Sequence, residues 1–423
     1  MKIKDVRVTP IAVKDPPLLN ASGIHEPYTL RSIIEVEGDD GTIGLSETYG
    51  DLPVLSLLQK VAPELVGMNA WSLNELRGRV NAQLTDVRAT NAGAELAPGS
   101  HPSKQAANAY SAFEVALLEL QARSMDIPLV DLLGGAVRDA VPFSAYLFFK
   151  YAEHVDSPYV PDRWGEALTV EQIVGQARTM IDQYGFKSIK LKAGVLEPDI
   201  EADCIIALKK AFPDHMLRID PNAAWKLETA VRIHEKIKND LEYYEDPTPG
   251  LEGMAELYKQ TGIPLATNMV VTDFDEFRRS LVLNSVQIVL SDHHYWGGLR
   301  NTLVLASMCE TFGIGISMHS NSHLGISLTA MAHVAAACPN LSYACDTHYP
   351  WQDEEDEVIV GGKVPIVDGC VRIQDKPGLG IELDRDRLAK QHKVYNSIHI
   401  RSRDDGAQMK KYDPEWELIK PRF

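Results

Sequence analysis

Residues 186–225 read FKSIKLKAGVLEPDIEADCIIALKKAFPDHMLRIDPNAAW, two strand-like runs with a helix-like run between them. The first run alternates polar and apolar residues, so Lys190 and Lys192 project from one face of the strand. The second run ends on a carboxylate, Asp220. The segment therefore predicts a strand–helix–strand unit whose two strands both end in charged side chains.

The same pattern repeats along the chain from about Val141 onward. Seven polar residues end successive strand-like runs at spacings of 28, 25, 23, 24, 27 and 27 residues, and they are Lys192, Asp220, Glu245, Asn268, Asp292, His319 and Asp346. This spacing is typical of a repeated βα unit. The predicted strands are Phe143–Phe149, Ser188–Lys192, Leu217–Asp220, Tyr243–Glu245, Leu265–Asn268, Ile288–Asp292, Ile314–His319 and Tyr343–Asp346. Eight such strands form a TIM-type barrel, which carries its catalytic residues at the carboxyl ends of its strands.

The predicted fold class is α/β, a modified TIM-type (β/α) barrel with an α+β capping domain built from the N-terminal region and the C-terminal tail. We assign residues 1–138 to the capping domain, 139–372 to the barrel and 373–423 to a segment that packs back on the capping domain. The N-terminal part predicts an antiparallel meander and two helices. Its strands are expected at Ile3–Val13, Ser32–Glu37 and Thr42–Thr48, and its helices at residues 54–96 and 105–126.

Composition restricts the possible partners. The formal net charge is −17, from 42 basic and 59 acidic residues, which argues against binding to nucleic acid or to an anionic membrane. The start of the chain lacks the apolar region of a signal peptide, and no stretch reaches the length of a membrane span. The five cysteines are scattered and form no C-x-x-C pair. We expect a cytoplasmic protein that forms a homo-oligomer.

Lys190 and Lys192 are the first candidates for chemistry. Two neighbouring ammonium groups disfavour each other's charged form, and burial at a barrel mouth disfavours it further. This would give a lysine that is neutral enough near pH 7 to act as a base.

Three strand ends offer oxygen ligands. Asp220 and Glu245 supply carboxylates and Asn268 supplies an amide oxygen, and hard oxygen ligands of this kind suit Mg²⁺. Because the three lie on consecutive strands, their side chains should converge. They predict a magnesium site at the mouth of the barrel.

His319 is the candidate base on the opposite side. Asp292 ends the preceding strand and could hydrogen-bond one ring nitrogen, which would fix the tautomer and raise the basicity of the other. A lysine and a histidine facing each other across a divalent ion suit the removal of a proton next to a carboxylate, since the ion neutralises the charge that develops.

These residues resemble the enolase superfamily, and specifically its glucarate dehydratase group, for which a Lys or His base and Mg²⁺ are a known pattern. An asparagine as the third metal ligand is the narrower signature. The matching motifs are Lys190-Leu191-Lys192, Asp220-Pro221-Asn222, Glu245-Asp246-Pro247, Ala266-Thr267-Asn268-Met269 and Met318-His319-Ser320-Asn321. The resemblance extends to Leu18-Leu19-Asn20, Tyr146-Leu147-Phe148-Phe149, Asp346-Thr347-His348 and Arg403-Asp404-Asp405.

The resemblance implies the individual roles. Lys192 would be the base for one configuration at C5 of a hexarate, and His319, oriented by Asp292, the base for the other. Lys190 would stabilise the enolate with help from Asn222. The acid-sugar dianion would contact the metal ligands Asp220 and Asn268 and a set of further residues, namely Asn20, His25, Ser100, Tyr146, Ser320, Asn321, His348 and Arg403. Ser100 is only an approximate counterpart of the family's substrate-binding threonine, so the distal end of the substrate is the part that this pattern specifies least.

The implied reaction is the dehydration of D-glucarate, and also of L-idarate, to 5-keto-4-deoxyglucarate. Galactarate or another acid sugar is the alternative substrate, and a non-catalytic relative with the same fold is the alternative function. A zinc hydrolase on the same barrel would need a His-x-His pair on the first strand, where Tyr146-Leu147-Phe148 offers none.

Overall fold

The computed structural model describes residues 1–84, 104–155 and 162–423. The N-terminal part is a three-stranded antiparallel sheet in the order β1-β4-β5, which confirms the predicted meander. A short antiparallel ribbon, β2 and β3, connects β1 to β4 along the chain. The strand bounds are β1 Ile3–Lys14, β2 Leu19–Asn20, β3 Gly23–Ile24, β4 Tyr28–Gly38 and β5 Ile43–Tyr49.

Helices cover one face of this sheet. They are α1 Leu52–Val61, α2 Leu73–Ala82, α3 Gln105–Ser124 and α4 Leu129–Leu132. The prediction of one helix over residues 54–96 is wrong in its described part, because the chain breaks at the 3₁₀ turn containing Pro63 and at Gly67, whose φ is 80°. The rest of that prediction, from residue 85, lies outside the described residues. The helix predicted over 105–126 is confirmed as α3, which is buried from Asn108 to Ala122.

The second part is a parallel sheet of seven strands, β7 to β13 in sequential order, with a helix after each strand. The strands are β7 Ala145–Phe148, β8 Ser188–Lys192, β9 Met216–Asp220, β10 Tyr243–Glu245, β11 Leu265–Thr267, β12 Ile288–Ser291 and β13 Gly315–Met318. The helices are α5 Val170–Tyr184, α6 Pro198–Ala211, α7 Leu227–Ile237, α8 Gly250–Thr261, α9 Phe274–Leu283, α10 Leu299–Phe312 and α11 Gly325–Ala337. A small antiparallel pair, β6 Ala140–Pro142 and β14 Cys370–Arg372, lies beside this sheet.

The predicted eighth strand, Tyr343–Asp346, is not a strand. Cys345 makes an isolated bridge with Phe143, and Leu341, just before the stretch, makes one with Ile316, so no continuous ladder forms. A few backbone hydrogen bonds still join the stretch to both sides of the sheet. The Ser144 N–H donates to the Cys345 carbonyl and the Cys345 N–H to the Pro142 carbonyl on one side, and the Asp346 N–H donates to the Met318 carbonyl on the other, each at 2.8 Å. The seven-stranded sheet therefore curls, and an irregular segment connects its edges.

The tail returns to the N-terminal part. Helix α12, Arg385–Ser397, packs on β1, and its Tyr395 lies in a buried cluster with Ala12 and Leu30. Helix α13, Asp405–Met409, lies against β3, where a Cβ on Gly23 would collide with the backbone of Asp405. These contacts agree with the expected course of the tail, while the domain boundaries at 138/139 and 372/373 stay a prediction.

Two further observations concern composition. All five cysteines are free thiols, four of them buried. Among the helices of the described residues, none has the length and apolar character that crossing a membrane requires.

Candidate active site

The polar ends of the barrel strands converge in one buried cluster. The Lys190 Nζ lies 2.5 Å from Glu245 Oε1 and 2.7 Å from Asp346 Oδ2. The Lys192 Nζ donates to Asp220 Oδ2 at 2.7 Å. Parallel pairing sets these contacts, because Lys192 lies beside Asp220 in the ladder between β8 and β9.

The expectation that the two lysines suppress each other's charge is wrong for Lys190. Burial lowers its pKa, but the carboxylates of Asp346 and Glu245 outweigh this effect and hold the pKa well above its ordinary value. The reason is that two acids distant in the sequence, Glu245 and Asp346, lie 2.5 and 2.7 Å from the Lys190 ammonium group. Lys190 is therefore protonated in this cluster.

Two buried oxygen atoms of the predicted metal ligands have no hydrogen-bond partner. They are Glu245 Oε2 and Asn268 Oδ1, on adjacent strand ends. An unpaired buried acceptor costs about 1–3 kcal/mol, so a ligand is needed to compensate for it. Asp220 is fully buried beside them, with Oδ1 accepting the Asn222 backbone N–H at 3.0 Å. Two orphan oxygens and a neighbouring carboxylate form a donor set that fits Mg²⁺.

Asp246 was missed at the sequence level although it follows Glu245 directly. Its carboxylate accepts the Thr267 hydroxyl at 2.5 Å and the Asn268 backbone N–H at 2.9 Å, so it fixes the segment that carries the Asn268 side chain. Burial raises the pKa of Asp246 to about 7. Its own backbone has a φ of 37°, which is unusual for a residue other than glycine. Position in the Glu-Asp-Pro run was the only available signal.

His319 lies across from the lysines, with Nδ1 3.3 Å from Asp292 Oδ2. Asp292 raises the pKa of His319, as expected, but burial lowers it by more, so the net shift of the pKa is downward. The imidazole is therefore neutral near pH 7 and can accept a proton. Tyr295 was also missed; its hydroxyl donates to the Asn268 carbonyl at 3.2 Å and lies 3.5 Å from His319 Nδ1.

Three of the residues expected to contact substrate form an aromatic wall. The ring of His348 lies 4.9 Å from that of Tyr146 and 6.1 Å from that of His25, between centroids. The Tyr146 hydroxyl donates to Asp220 Oδ2 at 3.4 Å, and Lys190 Nζ lies 4.5 Å from the centre of its ring. Ser320 is adjacent, since its carbonyl contacts His348 Nδ1 at 2.9 Å. The wall joins the lysine cluster to the N-terminal part.

Asn222 follows Asp220 in a left-handed backbone conformation with a φ of 55°. Its side-chain amide donates to the Met269 sulfur at 2.7 Å, beside Asn268. It therefore lies between the lysine cluster and the third metal ligand.

Two of the other distal candidates, Arg403 and Asn20, are bound to one acid. Arg403 makes two contacts with the Asp405 carboxylate, of 2.6 and 2.5 Å, and Asn20 donates to the same carboxylate at 2.7 Å. Asn321 donates to the Tyr49 hydroxyl at 2.8 Å. Ser100 lies outside the described residues. The structure thus brings Arg403 and Asn20 together through Asp405, which belongs to a quoted motif but had been given no role.

A cavity of about 30 Å³ lies between the N-terminal sheet and the barrel. Arg403 and Asn321 line it together with three acids, Asp15, Glu26 and Asp51. Asp15 also contacts His25 Nδ1 at 3.1 Å. Burial, reinforced by Asp405, raises the pKa of Glu26 to about 7. Arg31 lines the same cavity, so three acids and two guanidinium groups surround it.

Two family models match the chain. Residues 172–387 match the enolase C-terminal domain-like family, and residues 5–134 match the N-terminal domain of mandelate racemase and muconate lactonizing enzyme. A probable glucarate dehydratase from Streptomyces coelicolor is 47% identical over 98% of this chain and 97% of its own length. D-xylonate dehydratase of Haloferax volcanii is 26% identical over 84% of each chain.

Solved structures agree over the whole length. An enolase from Pseudomonas fluorescens, crystallised with magnesium, potassium and tartrate, has a TM-score of 0.98 and 68% identity, covering 100% of this chain and 99% of its own. An enolase from Thermobispora bispora with magnesium and formate has a TM-score of 0.96 and 48% identity over 100% of both chains.

Proposed function

This chain belongs to the enolase superfamily, and from that premise we propose that it is a Mg²⁺-dependent acid-sugar dehydratase acting on D-glucarate and L-idarate. The product would be 5-keto-4-deoxyglucarate. The observation that carries the proposal is the placement of Lys192 and His319 around the oxygen ligands Glu245 and Asn268, whose free acceptor atoms call for a cation.

The two candidate bases lie on opposite sides of the barrel mouth. Lys192, which lies 2.7 Å from Asp220 Oδ2, would act in its neutral form and take the proton α to the carboxylate in one configuration. His319 would take the proton in the opposite configuration. Lys190, which is protonated, would stabilise the negative charge that develops on the carboxylate oxygens. The protonated base would then give this proton to the departing β-hydroxyl, so that water leaves and the base is restored.

Asp220, Glu245 and Asn268 would hold the Mg²⁺. When bound, the ion supplies positive charge next to the substrate carboxylate and so makes the α-proton more acidic. Tyr146 and His348 would pack against the substrate and exclude water from the reacting carbon.

A monoacid sugar is the second candidate substrate. The acids around Arg403, and its pairing with Asp405, disfavour a second carboxylate at that end of the pocket. The similarity to a D-xylonate dehydratase is consistent with this candidate.

The test is incubation of the purified protein with Mg²⁺ in deuterated water, in parallel with D-glucarate, L-idarate, galactarate and D-xylonate, followed by proton NMR. We expect dehydration of D-glucarate and L-idarate, with deuterium exchange at C5. Turnover of D-xylonate alone would show that the substrate is a monoacid sugar and not a diacid. A double variant, Lys192→Ala with His319→Asn, is the matched control and should show neither exchange nor product. If none of the four sugars showed exchange or turnover, the result would contradict the proposed function.

A further inference from the structure

Asp292 contacts two histidines, and the proposed mechanism uses only one of them. Its Oδ2 lies 3.3 Å from His319 Nδ1, while its Oδ1 lies 2.7 Å from His294 Nδ1. The contact with His294 is therefore the shorter of the two. All three side chains are buried.

His294 also fixes how the carboxylate is turned. Oδ1 accepts both the ring Nδ1–H and the backbone N–H of His294, the latter at 2.9 Å. Two donors on one oxygen determine the direction of the other oxygen. Oδ2 then faces His319 and the Tyr49 hydroxyl, which is 3.4 Å away.

The protonation of His294 follows from its partners. An ionised carboxylate can only accept, so the Nδ1 of His294 carries a proton. Burial raises the pKa of Asp292, but His294 and His319 outweigh it and hold the pKa well below its ordinary value, so the carboxylate is ionised.

Groups from the N-terminal sheet and from the start of α11 surround the other edge of the ring. His294 Nε2 lies 3.2 Å from the Glu47 carbonyl, 3.3 Å from Ser327 Oγ and 3.4 Å from an Arg31 guanidinium nitrogen. The Glu47 carboxylate is itself paired with Arg31 and with the backbone N–H groups of residues 324 and 327. The remaining titratable neighbours are the Tyr49 ring at 5.1 Å, His293 at 4.1 Å and His323, which contacts Ser327.

We infer that His294 is a positioning residue for the His319 base: its Nδ1–H holds Asp292 so that the second carboxylate oxygen orients the His319 ring. The chain His294–Asp292–His319 thus connects the N-terminal sheet to one side of the active site. Lys192 has no place in this chain, since its carboxylate partner is Asp220. The two proton acceptors should therefore respond differently to changes at His294.

The kinetic test rests on the proposed function and uses the Lys192 side as an internal control. In His294→Ala, we expect proton exchange through His319 to fall about tenfold, as for other residues that orient a functional histidine. The acidic limb of that exchange should move to higher pH, because Asp292 with one donor fewer holds the His319 proton more tightly. Turnover through Lys192 and its pH profile should stay unchanged.

Two conservative variants separate positioning from packing. His294→Asn places an amide N–H where Nδ1 was and should restore most of the exchange. His294→Gln places its amide nearer the Nε2 position and should not. Equal loss on both sides of the site, or equal rescue by Asn and Gln, would overturn the inference.

A second measurement needs no substrate. In the Mg²⁺-loaded protein labelled with ¹⁵N-histidine, His294→Asn should move the ring-nitrogen signals of His319, which His319→Asn identifies. Asp292→Asn should move the signals of both histidines. If the His319 signals stay in place in His294→Asn, the inference fails. Because this measurement does not depend on turnover, it still decides the question if no acid sugar proves to be a substrate.

Discussion

The barrel mouth and its covering side, which is formed by N-terminal segments and the C-terminal tail, are built in different ways. At the mouth, Lys190, Asp220 and Glu245 stand on parallel strands, and the register of the ladder brings them together. On the covering side, Arg403 comes from an irregular segment and Asn20 from the two-residue strand β2, and both are held by side-chain bonds to Asp405. The difference indicates that the backbone fixes the reacting groups, whereas paired charges fix the groups that would recognise the far end of the substrate. Substitutions at the mouth should therefore affect chemistry and metal binding, and substitutions on the covering side should affect affinity.

The largest effect is expected for Lys192→Ala. Loss of the general base should lower the turnover of D-glucarate by about 10³-fold, within the usual range for such a residue. Exchange into L-idarate through His319 should continue, because the His319–Asp292 pair does not touch Lys192. Steady-state kinetics and NMR exchange on the same preparation measure both. Unchanged glucarate turnover would remove Lys192 from the mechanism.

Asn268→Leu should weaken Mg²⁺ binding by at least about tenfold, since it removes a free buried oxygen from the predicted ligand set. Calorimetric titration of the metal-free protein measures the affinity directly. Asn321→Leu is the matched control, because Asn321 contacts Tyr49 on the covering side. Similar Mg²⁺ affinities in the two variants would show that Asn268 is not a ligand.

Arg403→Ala should raise KM for D-glucarate about tenfold and leave kcat nearly unchanged, as expected when binding that is equal in the ground and transition states is lost. Asp405→Asn should lower KM, because it frees the guanidinium from its present partner. Initial rates over a range of substrate concentrations separate the two constants. A large fall in kcat for Arg403→Ala would mean that this covering side takes part in the chemistry after all.

The smallest effect concerns pH and stability. His333 accepts the Val130 N–H on Nδ1 at 3.0 Å and contacts the Leu379 carbonyl through Nε2 at 3.3 Å, so it joins α11 to α4 and to the tail. Burial lowers its pKa to about 4. The unfolded chain then binds more protons than the folded one between about pH 6.5 and 4, and stability must fall as the pH falls through this window.

At pH 6 the neutral His333 lowers the free energy of unfolding, relative to its value at pH 8, by on the order of 1 kcal/mol. In His333→Asn the difference in unfolding free energy between pH 8 and pH 6 should shrink by that amount. Denaturant titrations at the two pH values measure it. An unchanged difference would mean that His333 is not held neutral in the folded protein.

Sequence reasoning predicted the mouth of the barrel better than its cover, and the cause is physical. Parallel strands place their ends at one edge, so regular spacing was enough to group Lys192, Asp220 and Glu245. The prediction of the eighth strand failed because isolated bridges and a few hydrogen bonds connect the edges of the sheet there without a continuous ladder. The grouping of the strand ends and the eighth strand were both predicted from the spacing of the strands, without side-chain detail.

The residues that sequence reasoning missed act through side-chain pairing. Nothing in the sequence distinguishes His294 from His293 as the partner of Asp292, and only the fold brings Glu47 and Arg31 near it. The pairing of Arg403 with Asp405 also depends on how the tail lies. The charge of Lys190 was misjudged for the same reason, since Asp346 reaches it from a part of the chain 156 residues away.

Gly23 has a consequence for how substrate can reach the site. A side chain at this position would collide with the backbone of Asp405, so the β2–β3 ribbon and the tail lie in direct backbone contact. Asn20, on the same ribbon, is bonded to the Asp405 side chain as well. Any opening on this side must move the ribbon and the tail as one lid. Admission of a sugar and release of its product would then be governed by a single motion that engages segments from opposite ends of the polypeptide.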